Sequence, residues 1–159
     1  GSSSHNTVFR ARSTGWQDAG RTSNNNAFDL QHKNTYVSVI GCVLGTAGQS
    51  STYETAYPAS APASLKTIWR LGYGGPKEVG DPNVKATLLR HGNFDFVTNG
   101  TVWDPAYSNH TLPASLYLSE KPAWWGTLPW PPIGPDVLSM TNKIPAQLRY
   151  ERLALRGAK

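Results

Sequence analysis

Acidic residues, which carry most hydrolytic and lyase chemistry, are few and scattered. The chain has 159 residues and ten acids: Asp18, Asp29, Glu54, Glu78, Asp81, Asp95, Asp104, Glu120, Asp136 and Glu151. A glycosidase needs two carboxylates that face one glycosidic bond, and no two of these acids are adjacent or paired on one predicted strand. Asp95 is the best single candidate, because it alternates with Phe94 and Phe96 and is therefore predicted to point outward. An outward aspartate of this kind more often serves a turn, so the sequence predicts no catalytic residue.

The histidines and the single cysteine do not form a metal-binding motif. His5, His32, His91 and His110 lack the spacing of zinc ligands. A calcium-dependent lyase would need a carboxylate cluster, which the scattered acids do not provide. Cys42 lies in an apolar run, which predicts a buried core thiol. The sequence therefore predicts neither a metal site nor a cofactor.

Aromatic and arginine residues suggest binding chemistry instead. Flat Trp and Tyr rings stack on the apolar faces of sugars, and arginine pairs with carboxylates such as those of uronic acids. The candidate ligand-binding residues are Trp16, Tyr53, Trp69, Tyr73, Arg10, Arg70 and Arg90. The three arginines each follow an apolar strand residue and are predicted to form an outward column. For Trp16, Tyr53 and Trp69, the sequence favours packing and ligand contact equally.

Net charge and composition narrow the kinds of molecule that this chain is expected to bind. The net charge of +5 favours acidic partners, but no run of five basic residues occurs, so nucleic acid is not expected. No apolar stretch approaches the roughly 18 residues that span a membrane. The chain begins without Met or a signal peptide, so we expect a domain cut from a longer secreted protein. Upstream strands or an appended catalytic domain are the expected neighbours in the parent chain.

Short apolar strands separated by glycine corners are the main structural signal. Val37 and Val39 alternate with Ser38, Gly41 breaks the run, and Cys42 to Leu44 resumes it. Two short strands split by a tight corner are typical of one rung of a β-solenoid. Comparable segments recur about every 20 to 30 residues: 7–12, 27–30, 66–72, 85–90 and 93–97.

Two parts of one domain are predicted. Residues 1–112 would form β-helix rungs, with a Ser-, Ala- and Pro-rich loop insertion at about 46–64. Residues 113–159 would form a capping segment, because their density of Pro and Trp excludes central strands and a solenoid must cover its open end. Trp103, Trp124, Trp125 and Trp130 are predicted mainly to seal this cap. Residues 146–158 fit either a short helix or a final strand.

A family resemblance supports this architecture. The segments Leu89-Arg-His-Gly-Asn-Phe-Asp-Phe-Val-Thr-Asn-Gly-Thr-Val-Trp-Asp104, 110–126 and Leu128-Pro-Trp-Pro-Pro-Ile-Gly-Pro135 resemble the ending of a group of secreted bacterial parallel β-helix proteins. The similarity covers about residues 85–150. It implies an all-β, right-handed parallel β-helix with a Pro/Trp-rich C-terminal cap.

The same resemblance implies a function. Some such β-helices are carbohydrate-binding modules beside hemicellulases of gut bacteria, whereas others are polysaccharide lyases or glycosidases, and the fold does not choose among them. With no acid pair, we predict a secreted, non-catalytic module for plant cell-wall polysaccharide, most plausibly a hemicellulose such as xylan. A fragment of a β-helical lyase or glycoside hydrolase and a structural segment of a larger surface protein remain alternatives.

Overall fold

The fold is built from short strands and two helices. The computed structural model describes residues 3–59, 62, 64–75 and 77–157. The strands are β1 (Thr7–Phe9), β2 (Arg12–Ser13), β3 (Phe28–Leu30), β4 (Ser38–Ile40), β5 (Val43–Leu44), β6 (Thr52–Ala56), β7 (Thr67–Leu71), β8 (Leu89–His91), β9 (Asn93–Asp95) and β10 (Gly100–Val102). The helices are α1 (Asn83–Ala86) and α2 (Pro145–Gly157), and a 3₁₀ turn spans Ala123–Trp125.

The strands form three small, mostly parallel sheets. The first has the order β1-β4-β8, the second β10-β9-β5-β2 and the third β3-β7-β6. Pairing is parallel throughout except between β9 and β10, which are antiparallel. The register places Phe9, Ile40 and His91 side by side in the first sheet.

Three aligned corners carry the chain from the first sheet into the second. Their residues Arg10, Gly41 and Gly92 have φ angles of 47°, 64° and 64°. Glycine adopts this left-handed conformation readily, whereas another L-residue is strained there. The buried Asn93 side chain ties two of the corners together: its Oδ1 accepts from the Cys42 amide (2.9 Å) and its Nδ2 donates to the Val39 carbonyl (2.8 Å). Such a buried amide is stable because both its ends are hydrogen-bonded.

The core lies between the sheets and consists of aliphatic side chains from β4, β5 and β7. Val39, Cys42, Leu44, Ile68 and Leu71 have no exposed surface (0%). Full burial confirms the prediction that Cys42 is a core thiol, and burial raises its pKa. Ile68 and its neighbour along β7 point to opposite faces and are both buried, so this strand is covered on both sides.

The prediction of an all-β, right-handed parallel β-helix is wrong. The three sheets are short, and none closes or continues as a solenoid. The consecutive strands β6 and β7 pair with each other within one sheet, and β10 folds back antiparallel on β9. In a coil, a strand pairs in parallel with strands of neighbouring rungs, not with the strand that directly follows it and not with an antiparallel return such as β10. The chain then ends in the 13-residue helix α2 rather than in a strand.

Two local predictions are also corrected, and one open alternative is resolved. The insertion predicted as a loop at 46–64 contains β6, which pairs with β7 over four aligned residue pairs. The segment 85–90 is not one strand, because α1 ends at Ala86 and β8 begins only at Leu89. The helix-or-strand alternative for 146–158 resolves to helix α2, with Ala158 outside the described residues.

Candidate functional site

Three predicted binding residues meet beside the third sheet, but they belong to the interior. Trp69 is only 1% exposed and stacks on Phe28 with ring centroids 5.0 Å apart. The Arg90 guanidinium lies 5.4 Å from the Trp69 ring centroid and 5.9 Å from that of Tyr53. No face of the Trp69 ring is left for a sugar, so the ligand contact predicted for Trp69 is wrong and this residue serves the core.

Glu54 neutralises the cations of this cluster. Its Oε2 accepts from Arg90 Nη1 at 2.6 Å, and its Oε1 bonds the Lys85 ammonium. Burial of Glu54 opposes ionisation, but the hydrogen bonds from Lys85 and Arg90 outweigh it and lower the pKa of the carboxyl. Burial raises the pKa of the half-buried Tyr53 phenol. Arg90 is therefore committed to an internal ion pair.

Arg70 and Tyr73 form a second cluster on the outer side of the third sheet. Arg70 Nη1 donates to both carboxylate oxygens of Asp29, at 3.2 and 3.0 Å. The guanidinium carbon lies 4.8 Å from the Tyr73 ring centroid, and the Tyr73 hydroxyl donates to the Ala59 carbonyl at 2.8 Å. Arg70 is thus the outward residue of β7, but its charge is already paired.

Arg10 holds the C-terminal segment onto the strands. Its guanidinium donates to both oxygens of Asp136 (2.8 and 2.7 Å) and to the carbonyls of Ile133 (2.9 Å), Pro113 (2.8 Å) and Leu112 (3.2 Å). The hydrogen bonds from Arg10 lower the pKa of Asp136. This saturated, buried arginine is a structural clamp, and it offsets the strained φ at its own corner.

The arginine column and the outward Asp95 are not formed. Arg10 and Arg90 lie at opposite edges of the first sheet, and Arg70 lies in the third. Asp95 is 1% exposed: its Oδ1 accepts from the amides of Val97 (2.9 Å) and Thr98 (2.7 Å). The outward placement predicted for Asp95 is therefore wrong, and the turn role that the sequence favoured for it is confirmed.

Trp16, the remaining candidate, lies in the loop between β2 and β3. It is half-buried, and its carbonyl accepts from the Thr14 hydroxyl at 3.0 Å. This loop belongs to neither aromatic cluster of the third sheet.

The most exposed tryptophan lies in the C-terminal segment, where the cap was predicted to be sealed. Trp124 is 71% exposed. It lines a cleft of about 510 Å³, which we call the Trp124 cleft. One side of this cleft is the 3₁₀ turn and the loop that follows it, and the other side is helix α2. The lining residues are Trp124, Trp125, Gly126, Thr127, Leu128, Pro145, Leu148, Arg149, Arg152 and Leu153. Its volume falls in the range of about 300 to 1,000 Å³ typical of ligand sites.

The aromatic wall of this cleft is braced from behind. The Trp125 ring lies 5.4 Å from Trp124 and packs edge-on against Trp130 at 4.8 Å. Trp125 Nε1 donates to the Pro129 carbonyl at 3.0 Å, and the Lys121 ammonium donates to the Gly126 carbonyl at 2.8 Å. Trp125 and Trp130 therefore have the packing role that the sequence predicted, and they fix the loop that presents Trp124.

The opposite wall is helical and basic. Arg149 and Arg152 are exposed on α2 and line the cleft together with Leu148 and Leu153. Residues three apart lie on the same side of a helix, which is why both arginines line the cleft. A wider cleft of about 760 Å³ lies between the corner at Arg10 and residues 133–147, but its lining contains no aromatic ring among the described residues.

Sequence reasoning missed the Trp124 cleft because it took every tryptophan of this Pro-rich stretch as packing. The available signal was a pair of arginines at helical spacing, Arg149 and Arg152, shortly after an exposed Trp-Trp-Gly turn. The spacing of the two arginines indicates a shared surface only when α2 is known to be a helix.

No protein-family model, curated protein or solved structure matches this chain. Across the described ranges, no helix is long and apolar enough to cross a membrane. Within the same residues, no group of three or more His, Cys, Asp or Glu is placed to hold a metal ion.

Proposed function

We propose that this chain binds a polysaccharide without cleaving it, with Trp124 as the stacking surface. The observation that carries the proposal is the 71% exposure of Trp124 in a ligand-sized cleft, where it lies against Trp125, which itself packs on Trp130. Leaving so large an apolar ring in water is unfavourable, and a sugar that covers it removes that cost. An indole presents a flat apolar face to sugar C–H groups, and Thr127 beside it offers a hydroxyl for hydrogen bonding.

Support for a non-catalytic role comes from the carboxylates. The walls of the Trp124 cleft carry no carboxylate among the residues described. A glycosidase general acid has a raised pKa, whereas ion pairing lowers the pKa of Glu54 and of Asp136. Neither residue suits that role.

Plant cell-wall polysaccharide, and hemicellulose such as xylan in particular, is the first ligand class to test. A module of this kind would act outside the cell, beside a catalytic domain that cleaves the same polymer.

Affinity electrophoresis tests the function directly. The protein would migrate through gels that contain xylan, arabinoxylan, pectin, β-glucan or no glycan, and the same mixtures would be assayed for new reducing ends and unsaturated uronates. We expect retardation by one glycan without product, and loss of that retardation in Trp124→Ala.

Tyr117→Ala is the matched control. Tyr117 is 93% exposed in the same C-terminal segment but does not line the cleft, so this variant should bind as the wild type does. Release of product would refute the non-catalytic proposal. Unchanged retardation of Trp124→Ala would remove this cleft as the binding site.

A further inference from the structure

We infer that the Trp124 cleft selects polysaccharides that carry carboxylate groups, that is, uronic-acid-substituted chains, through Arg149 and Arg152. This inference rests on the proposed function and names the ligand class of the same site. Its first support is the distribution of charge along the chain. Residues 143–159 contain five basic side chains and one acidic one, so they carry four of the five net positive charges.

The two arginines of the cleft differ from the three that were predicted to bind ligand. Arg10 pairs with Asp136, Arg70 with Asp29 and Arg90 with Glu54. In the described part of the chain, Arg149 and Arg152 have no carboxylate partner within 4.0 Å. Their charge is thus available to a ligand.

The one acid of α2 is engaged elsewhere. Glu151 accepts from the Lys143 ammonium at 2.6 Å and from the Gln147 amide at 3.2 Å. Both bonds lie toward the start of the helix. They hold this carboxylate away from the two arginines that line the cleft, which a closer glutamate would neutralise.

The geometry suits a sugar with a charged substituent. Trp124 lies on one wall, and Arg149 and Arg152 lie on the other. A sugar ring stacked on the indole would direct a carboxylate substituent across the cleft. The planar guanidinium donates two parallel N–H bonds to a carboxylate, which gives both affinity and orientation.

A nucleic acid is the other polyanion that a basic surface suggests, and the cleft favours it less. Strong phosphate-backbone binding uses about 6 to 10 cationic contacts. The cleft offers two arginines, and the apolar side chains of Leu148 and Leu153 line it as well.

A matched pair of polymers tests the inference. Glucuronoxylan and the same polymer with its carboxyl groups chemically reduced to alcohols would be titrated against the full chain by calorimetry, with a single-stranded oligonucleotide as a third ligand. We expect about tenfold tighter binding of the acidic polymer. The Arg149→Gln/Arg152→Gln variant should lose that preference.

The charge-matched control is Arg21→Gln/Lys77→Gln, which removes two exposed cations outside the cleft and should keep the preference. Equal affinity of the wild type for both polymers would overturn the inference and leave the proposed function standing. Binding of neither polymer would overturn the inference, and the proposed function would then stand only if another glycan retards the protein in affinity electrophoresis. Tighter binding of the oligonucleotide than of glucuronoxylan would replace the glycan with a nucleic acid.

Discussion

The strand region, residues 7–102, and the C-terminal segment, residues 113–157, use the same residue types in opposite ways. Beside the third sheet, tryptophan is buried and arginine is paired: Trp69 lies in the core, and Arg90 bonds Glu54. In the C-terminal segment, Trp124 faces solvent and Arg149 has no described carboxylate partner. The first arrangement stabilises the fold, and the second leaves binding groups available.

This difference arises from neighbours rather than from composition. Where β6 and β7 pair, the rings and cations satisfy one another, because buried charges need partners and rings pack closely. The Pro-rich loop and α2 cover little of each other, so their side chains stay exposed. Aromatic and arginine residues therefore identify a binding site only where the fold leaves them unsatisfied.

Removing each tryptophan ring in turn should give the largest contrast. Trp69→Ala deletes a fully packed ring and should lower the free energy of unfolding by about 3 to 5 kcal/mol. Trp124→Ala deletes an exposed ring and should change it by less than about 0.5 kcal/mol. Urea denaturation followed by far-UV circular dichroism measures both. A large loss of stability in Trp124→Ala would mean that this ring is packing and not a binding surface.

Substitution of an ion-paired arginine and of one with no described carboxylate partner should differ almost as much in the effect on the free energy of unfolding. Arg10→Met would leave the Asp136 carboxylate and three carbonyls without their donor, and it should lower the free energy of unfolding by about 3 kcal/mol. Arg149→Met removes no described ion pair, so its free energy of unfolding should lie within about 0.5 kcal/mol of the wild-type value.

Hydrogen exchange would show where the Arg10 clamp acts. We expect the amides of residues 130–142 to exchange faster in Arg10→Met, because their link to the first sheet is lost. Unchanged exchange there would contradict the clamp, whatever the global stability.

Local features of the strand region could be predicted from sequence, but pairing over long distances could not. The break at Gly41 between two apolar runs predicted a strand on either side, and β4 and β5 occupy those positions. The prediction of a coil was wrong because the pairing of β6 with β7 depends on the path of the chain after the turn at Gly45. Local sequence patterns do not specify that path. At Trp69 the sequence could not decide between packing and ligand contact, because Ile68 and Trp69 point to opposite faces of β7 and both are buried.

The candidate site was harder to predict, because it depends on one contact between distant parts. The Pro-rich setting correctly indicated packing for Trp125 and Trp130, but it gave the same answer for Trp124. What separates Trp124 from its neighbours is that α2 stands opposite it. No pattern within residues 113–135 contains that information.

The smallest effect should appear in the pH dependence of stability. The pKa of Glu54 is lowered in the folded protein, so its ion pairs stabilise the fold above the unfolded-state pKa of about 4.3. That contribution is lost as the pH falls through the lower, folded-state pKa. Glu54→Gln should therefore be less stable than the wild type at pH 7, and its stability should fall less steeply between pH 5 and pH 3.

Glu151→Gln is the control from the C-terminal segment. The hydrogen bond from Lys143 lowers the pKa of Glu151 as well, but this side chain is 38% exposed and solvent screens the pair. Its variant should follow the wild-type curve. Urea midpoints of both variants and the wild type would be measured at half-unit pH steps. A curve for Glu151→Gln as flat as that for Glu54→Gln would mean that the ion pairs of both regions stabilise the fold alike.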